Sequence, residues 1–143
     1  LSSKKTHSAL ASYIEKIREL TKPESVVIFD GSSDGYQDLL KELVLKKTLE
    51  PLSREGSFLA RSTPDDVARL EEVTFICSKE REEAGPNNRW QEPNKIREEL
   101  YNRFNGCMQG RVMYVIPYRM GPKGSPLSKL GVEITDSAYV VAN

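Results

Sequence analysis

The sequence predicts an α/β domain: a mixed sheet with helices packed on it. Short runs rich in β-branched residues, "SVVIFD" (25–30), "VTFIC" (73–77) and "VMYVIPY" (112–118), read as strands. Between them, apolar residues recur at helical spacing. The two kinds of element alternate along the chain instead of segregating, which places them in one layered unit. At 143 residues the chain is long enough to bury one ordinary core.

Leu10, Tyr13, Ile14, Ile17 and Leu20 stripe one face, so residues 7–21 read as an amphipathic helix stopped by Pro23. Residues 25–30 follow as a buried strand. "GSSDG" then turns the chain into a helix striped by Tyr36, Leu39, Leu40, Leu43 and Val44 and ending near Lys47. "SFLA" (57–60) reads as a short strand. "STPDDVARLEE" carries a Ser or Thr cap, Pro64 near the first helical position and two acids in the first turn, the pattern of a helix start. Residues 78–93 are polar and proline-interrupted, a surface loop. Ile96, Leu100 and Phe104 line a helix across 93–104, and "NGCMQG" turns it into "RVMYVIPY" (111–118), the strongest strand signal in the chain. After the loop "RMGPKGSP" comes a last strand, "GVEIT" (131–135), and Thr135, Asp136 and Ser137 then cap a final short helix. The sheet is expected to include 25–30, 73–77 and 111–118. The first helix should pack on it through Leu10, Ile14 and Ile17.

Composition narrows the function classes. With 38% hydrophobic and 29% charged residues the chain reads as globular, not disordered. Lys plus Arg and Asp plus Glu number 21 each, so there is no basic excess for nucleic acid. No apolar run approaches the roughly 18 residues of a membrane span. Cys77 and Cys107 are isolated and His7 is the only histidine, which excludes a zinc site of ordinary spacing. Two buried free thiols in a reducing cytosol are expected in preference to a disulfide. The start at Leu1 followed by "SSKK" reads as trimmed or processed, without a secretory signal.

Four stretches invite chemistry. "DGSSDG" stands where a phosphate-binding turn would, after a strand and before a helix, but matches no such motif and has no lysine; it reads as a turn with helix caps. "RMGPKGSP" offers Arg119 and Lys123 on a flexible backbone, and reads first as a solvated connection. Trp90, in the polar loop, reads as a packing anchor. "ARSTPDDVARLEE" places Arg61 before a helix and Arg69 near its end. Arg69 there either complements the helix dipole or presents a planar fork to a carboxylate or phosphate.

Three stretches together resemble the N-terminal domain of GTP-dependent phosphoenolpyruvate carboxykinase: "DDVARLE" (65–71), "GCMQGRVMYVIPYRMGPKGSPLSKLGVEITDSAYVVAN" (106–143) and, more weakly, "VVIFDGSSDGY" (26–36). The resemblance runs from about residue 10 to the end. It implies an enzyme that converts oxaloacetate and GTP to phosphoenolpyruvate, carbon dioxide and GDP for gluconeogenesis. In the family Mn²⁺ stabilises the enolate left by decarboxylation. The family's Mn²⁺ ligands, phosphate loop and guanine pocket fall beyond Asn143, so no metal or nucleotide site and no catalytic residue is expected within these residues. The family's substrate-binding arginine falls on Arg69, and the glutamate that supports the substrate-bound geometry falls on Glu71. Arg61 has no place in the motif, although "RSTPDD" echoes a turn of the ATP-dependent relatives. Two departures stand out: a shortened loop between "VTFIC" and "NRW", and Glu72 where a small polar residue is more usual.

The resemblance also implies that the helix begun in "TDSAYVVAN" continues, so the chain is expected to be one N-terminal, substrate-side piece (1–143) of a larger enzyme. Its partners would be oxaloacetate or phosphoenolpyruvate and the rest of the enzyme, with no nucleic acid and no membrane. Its compartment would be the cytoplasm, or alternatively the mitochondrial matrix, and the piece alone would be inactive. The competing expectation is a free-standing, non-catalytic module with the same fold that binds anions or regulates.

Overall fold

A computed structural model of the protein describes residues 3–61 and 70–143, with side chains described from Leu10 onward. The chain divides into two compact units: Leu1–Arg61 with Gly106–Asn143, and Ser62–Asn105.

The first unit is a three-stranded mixed sheet between helices. Its strands are β1 (Ser25–Ile28), β4 (Val112–Met120) and β5 (Lys129–Thr135), in the order β1-β4-β5. β1 runs parallel to β4 and β5 antiparallel to it. Side chains of β4 alternate between the two faces, as a strand buried on both sides requires. Met113 and Val115, both fully buried, join Met108 on one face, with Ile14 and Ile17 of α1 (Ser3–Thr21) packed against them. Tyr114 faces the other way, into a cluster with Leu39, Leu40 and Leu43 of α2 (Ser33–Leu45) and Val141 of α4 (Ala138–Ala142). The expected α1 packing therefore holds for Ile14 and Ile17, while Leu10 is half-buried outside that cluster.

Local chemistry ends the helices where the sequence says it should. Lys22 takes the left-handed conformation (φ 53°) and returns its N–H to Arg18 O at 2.9 Å, just before Pro23. The freed carbonyls of Leu20 and Thr21 receive the N–H groups of Gly106 and Met108 at 2.8 and 2.9 Å. Ser32 caps α2 by accepting from Gly35 N–H, and Asp30 accepts from Ser32 N–H at 2.8 Å. That backbone hydrogen bond holds the Asp30 carboxyl below its ordinary range. "DGSSDG" is thus a turn closed by its own side chains. Pro117, paired with Val132, lies past the end of β1, where β4 needs no donor on that side. Across the hairpin a Cβ on Gly131 would stand 2.4 Å from the Tyr118 ring, so only glycine fits beneath it. Arg111 pairs with Asp136 and also donates to Cys107 O, tying the start of β4 to the turn before α4.

"SFLA" forms the expected short strand, β3 (Phe58–Ala60), paired antiparallel with β2 (Leu49–Pro51), which the sequence reading does not include. One strand expectation fails. Residues 73–77 are not a strand of the sheet: Glu71–Val73 is a 3₁₀ turn, and Ile76 alone makes an isolated bridge, to Trp90. A β-branched run reports a surface suited to pairing, and this one lies in the second unit with no neighbour strand among the described residues. The same placement corrects Cys77, which is exposed and not buried; Cys107 is half-buried, and both are free.

Among its described residues the second unit holds α3 (Pro93–Phe104) and a 3₁₀ turn at Arg81–Ala84 besides the one at Glu71–Val73. Glu92 caps α3, its carboxylate accepting from Asn94 and Lys95 N–H at 3.0 and 2.7 Å. Ala84 is the buried residue there, and Leu100, Tyr101 and Phe104 of α3 are exposed. Among the described residues no helix is long and apolar enough to cross a membrane.

Candidate functional site

Arg69 and most of the helix expected in "STPDDVARLEE" lie outside the described residues, which resume at Leu70. Leu70 is extended (φ −109°, ψ 111°), and Glu71 opens the 3₁₀ turn as an exposed residue. The turn is closed by Val73 N–H to Leu70 O at 3.3 Å and Thr74 N–H to Glu71 O at 3.2 Å. Such three-residue turns have poor hydrogen-bond geometry and need outside support. Here the support is polar. The Thr74 hydroxyl donates to Leu70 O at 2.6 Å, and Arg89 Nη1 donates to Glu72 O at 2.7 Å.

Arg89 reaches Glu72 because its own stretch is hydrogen-bonded alongside residues 76–78. Ile76 N–H donates to Arg89 O at 2.8 Å, and Gln91 N–H to Ile76 O at 3.2 Å. The Trp90 indole N–H donates to Ser78 O at 3.0 Å, so the residue expected as a packing anchor is held by a polar contact. Beside these contacts lies an open groove of about 760 Å³, lined by Phe75, Arg81, Glu82, Asn88, Arg89 and Trp90 among others. One of its two guanidinium charges is offset by Glu82, and Arg89 already serves Glu72 O, so it is not a built anion site.

The remaining candidates are dispersed. Arg61 is exposed directly after β3. Arg119 is an exposed residue of β4 opposite Leu130, so "RMGPKGSP" begins inside the strand and only its later part, with exposed Lys123, is loop. Among the described residues no group of three or more His, Cys, Asp or Glu comes together as a metal site. Thr74 and Arg89 were missed from sequence alone because 73–77 was assigned to the sheet and 78–93 to a loop. The one available signal was Trp90, a large aromatic in a polar stretch.

The family model described as "Phosphoenolpyruvate carboxykinase N-terminal domain" matches residues 12–143. A curated relative from Chlamydia muridarum, "Phosphoenolpyruvate carboxykinase [GTP]", is 50% identical over 144 residues, covering 99% of this chain and 24% of that protein. A protein of the same name from Corynebacterium jeikeium is 51% identical over 135 residues, covering 92% of this chain and 22% of its own length. One from Neocallimastix frontalis is 47% identical over 137 residues, covering 94% and 22%. The chain therefore spans about a quarter of the length of the curated relatives it matches. On the match to the family model, which takes in nearly all of its residues, this chain belongs to the phosphoenolpyruvate carboxykinase N-terminal domain family.

Proposed function

We propose that this chain is the substrate-side domain of a GTP-dependent phosphoenolpyruvate carboxykinase, and that Arg69 binds the substrate for it. The observation that carries this reading is identity of 50% over 99% of the chain to a relative named for that activity. The complete enzyme would decarboxylate oxaloacetate and phosphorylate the resulting enolate from GTP. GTP and Mn²⁺ would be held by the rest of the enzyme, where the resemblance puts their sites. What this domain contributes is charge and placement. The guanidinium of Arg69 gives paired, charge-assisted hydrogen bonds to the carboxylate of oxaloacetate and to the phosphate of the product. Glu71, two residues on, supports the substrate-bound geometry.

The test is Arg69→Ala in a complete carboxykinase carrying this domain. Losing a contact that strengthens as charge moves costs about 2–4 kcal/mol of transition-state stabilisation, a fall of roughly 30- to 1000-fold in kcat/KM for oxaloacetate. Arg69→Lys keeps the charge without the fork and should recover part of that loss. Arg61→Ala is the control and should change little, and the KM for GTP should stay near wild type in all three. Oxaloacetate kinetics within about twofold of wild type for Arg69→Ala would return Arg69 to the helix-dipole role.

A further inference from the structure

Glu71 stands between two carbonyls that are both occupied by side chains from later in the chain. Thr74 Oγ1 donates to Leu70 O at 2.6 Å, and Arg89 Nη1, 17 residues beyond its acceptor, donates to Glu72 O at 2.7 Å. These two bonds are shorter than the backbone bonds of the turn itself, at 3.3 and 3.2 Å. Arg89 is in turn fixed by its own main chain, which accepts from Ile76 N–H at 2.8 Å. Its neighbour Trp90 is held to Ser78 O at 3.0 Å. The carbonyl before Glu71 is therefore held within the turn by Thr74, and the one after it is tied to the hydrogen-bonded stretch around Arg89.

We propose that Thr74 and Arg89 are positioning residues for substrate binding: together they set the backbone at Glu71, two residues after the arginine of "DVAR". The inference rests on the reading of Arg69 and Glu71 given above. Its physical basis is that an exposed three-residue turn does not hold its shape unaided. A displacement of about 1 Å at a substrate-positioning group is enough to weaken binding strongly. Thr74 and Arg89 need not touch substrate to act in this way. Loss of ground-state placement should appear in KM more than in kcat.

The experiment uses the complete enzyme with Thr74→Val, which keeps the β-branch and removes the hydroxyl, and Arg89→Met, which keeps the stem and removes the donor. Each should raise KM for oxaloacetate by roughly 3- to 10-fold, the scale of one hydrogen bond, with kcat and the KM for GTP within about twofold. Because both groups are on the surface, the melting temperature should stay within about 2 °C. Arg89→Lys restores a single donor and should recover part of the KM. Arg69→Ala is measured alongside. If it lowers kcat/KM at least about 30-fold while Thr74→Val and Arg89→Met leave KM within about 1.5-fold, the positioning role is overturned and the site reading stands. If the two variants shift melting temperature and the KM for GTP together with that for oxaloacetate, their role is structural and the proposal fails. If Arg69→Ala is itself silent, the site reading falls and the positioning role falls with it.

Discussion

Met113 and Val115 are completely buried beneath α1, while Leu39, Leu40, Leu43 and Leu49 are buried in the cluster around Tyr114. In Ser62–Asn105, by contrast, Ala84 is the one buried residue among those described. That unit is held by side chains on backbone groups: Thr74 to Leu70, Arg89 to Glu72, Trp90 to Ser78, Asn88 to Ala84 and Glu92 to the start of α3. Apolar burial is non-directional and tolerates small shifts, whereas hydrogen bonds fix direction and distance. Glu71, at the described end of the candidate substrate segment, lies in the second kind of structure. Its geometry depends on single polar contacts, so polar substitutions there should alter function before they alter global stability.

The first unit offers the largest way to break this contrast. Met113→Ala removes a fully buried side chain from beneath α1, and such truncations cost about 2–5 kcal/mol. Thr21 is buried next to it, its hydroxyl bonded to Ile17 O at 2.8 Å and 3.9 Å from the Met113 sulfur, so collapse of the cavity is restricted on that side. Urea unfolding should show a lower midpoint. A loss under about 1 kcal/mol would mean that the sheet is less tightly packed than its burial implies.

A smaller effect should come from the second unit. Trp90→Phe keeps an aromatic ring and removes the indole N–H that reaches Ser78 O. The expected cost is about 1 kcal/mol, confined to residues 70–78 and 88–91. Hydrogen exchange should speed at Ile76 and Gln91 N–H while the β4 amides keep their wild-type rates. Equal acceleration in β4 would show that the two units open as one, and the contrast would be lost.

How much of this was legible in the sequence follows from the same division. β4 was readable because a strand buried on both faces must be a near-continuous apolar run, and α2 because Leu39, Leu40 and Leu43 fall on one stripe. Ser32, Pro23 and Ser137 marked helix ends through chemistry that needs no partner at long range. Residues 73–77 misled because strand propensity cannot say whether a neighbour strand exists, and among the described residues only Ile76 is paired, in an isolated bridge to Trp90. β2 was missed because three residues with one buried leucine and a proline carry almost no signal. At the candidate site, residue chemistry alone left Arg69 between two roles. Resemblance to a family selected one of them. The bond from Arg89 to a carbonyl 17 residues earlier has no direct pattern in the sequence, with Trp90 beside it as the one indirect signal.

The smallest expected effect sharpens the contrast through pH. Glu92 caps α3 in the polar unit, and its carboxyl is held below the ordinary value of 4.5, first by the N–H of Asn94 and then by that of Lys95. A carboxyl whose pKa is depressed on folding stabilises the folded form above its unfolded pKa. That contribution is lost as pH falls through the lower, folded value. Acidification from about pH 5 downward should therefore loosen the first turn of α3. Hydrogen-exchange protection of Ile96 N–H, which bonds to Glu92 O at 3.2 Å, is the readout. Glu92→Gln keeps an acceptor but cannot titrate, so it should lower protection at neutral pH and flatten the acid dependence. Protection in β4 should be the same in both proteins across that range. If Glu92→Gln left the acid dependence of α3 unchanged, the cap would not be what holds this helix start, and the second unit would owe its order to contacts other than its hydrogen bonds.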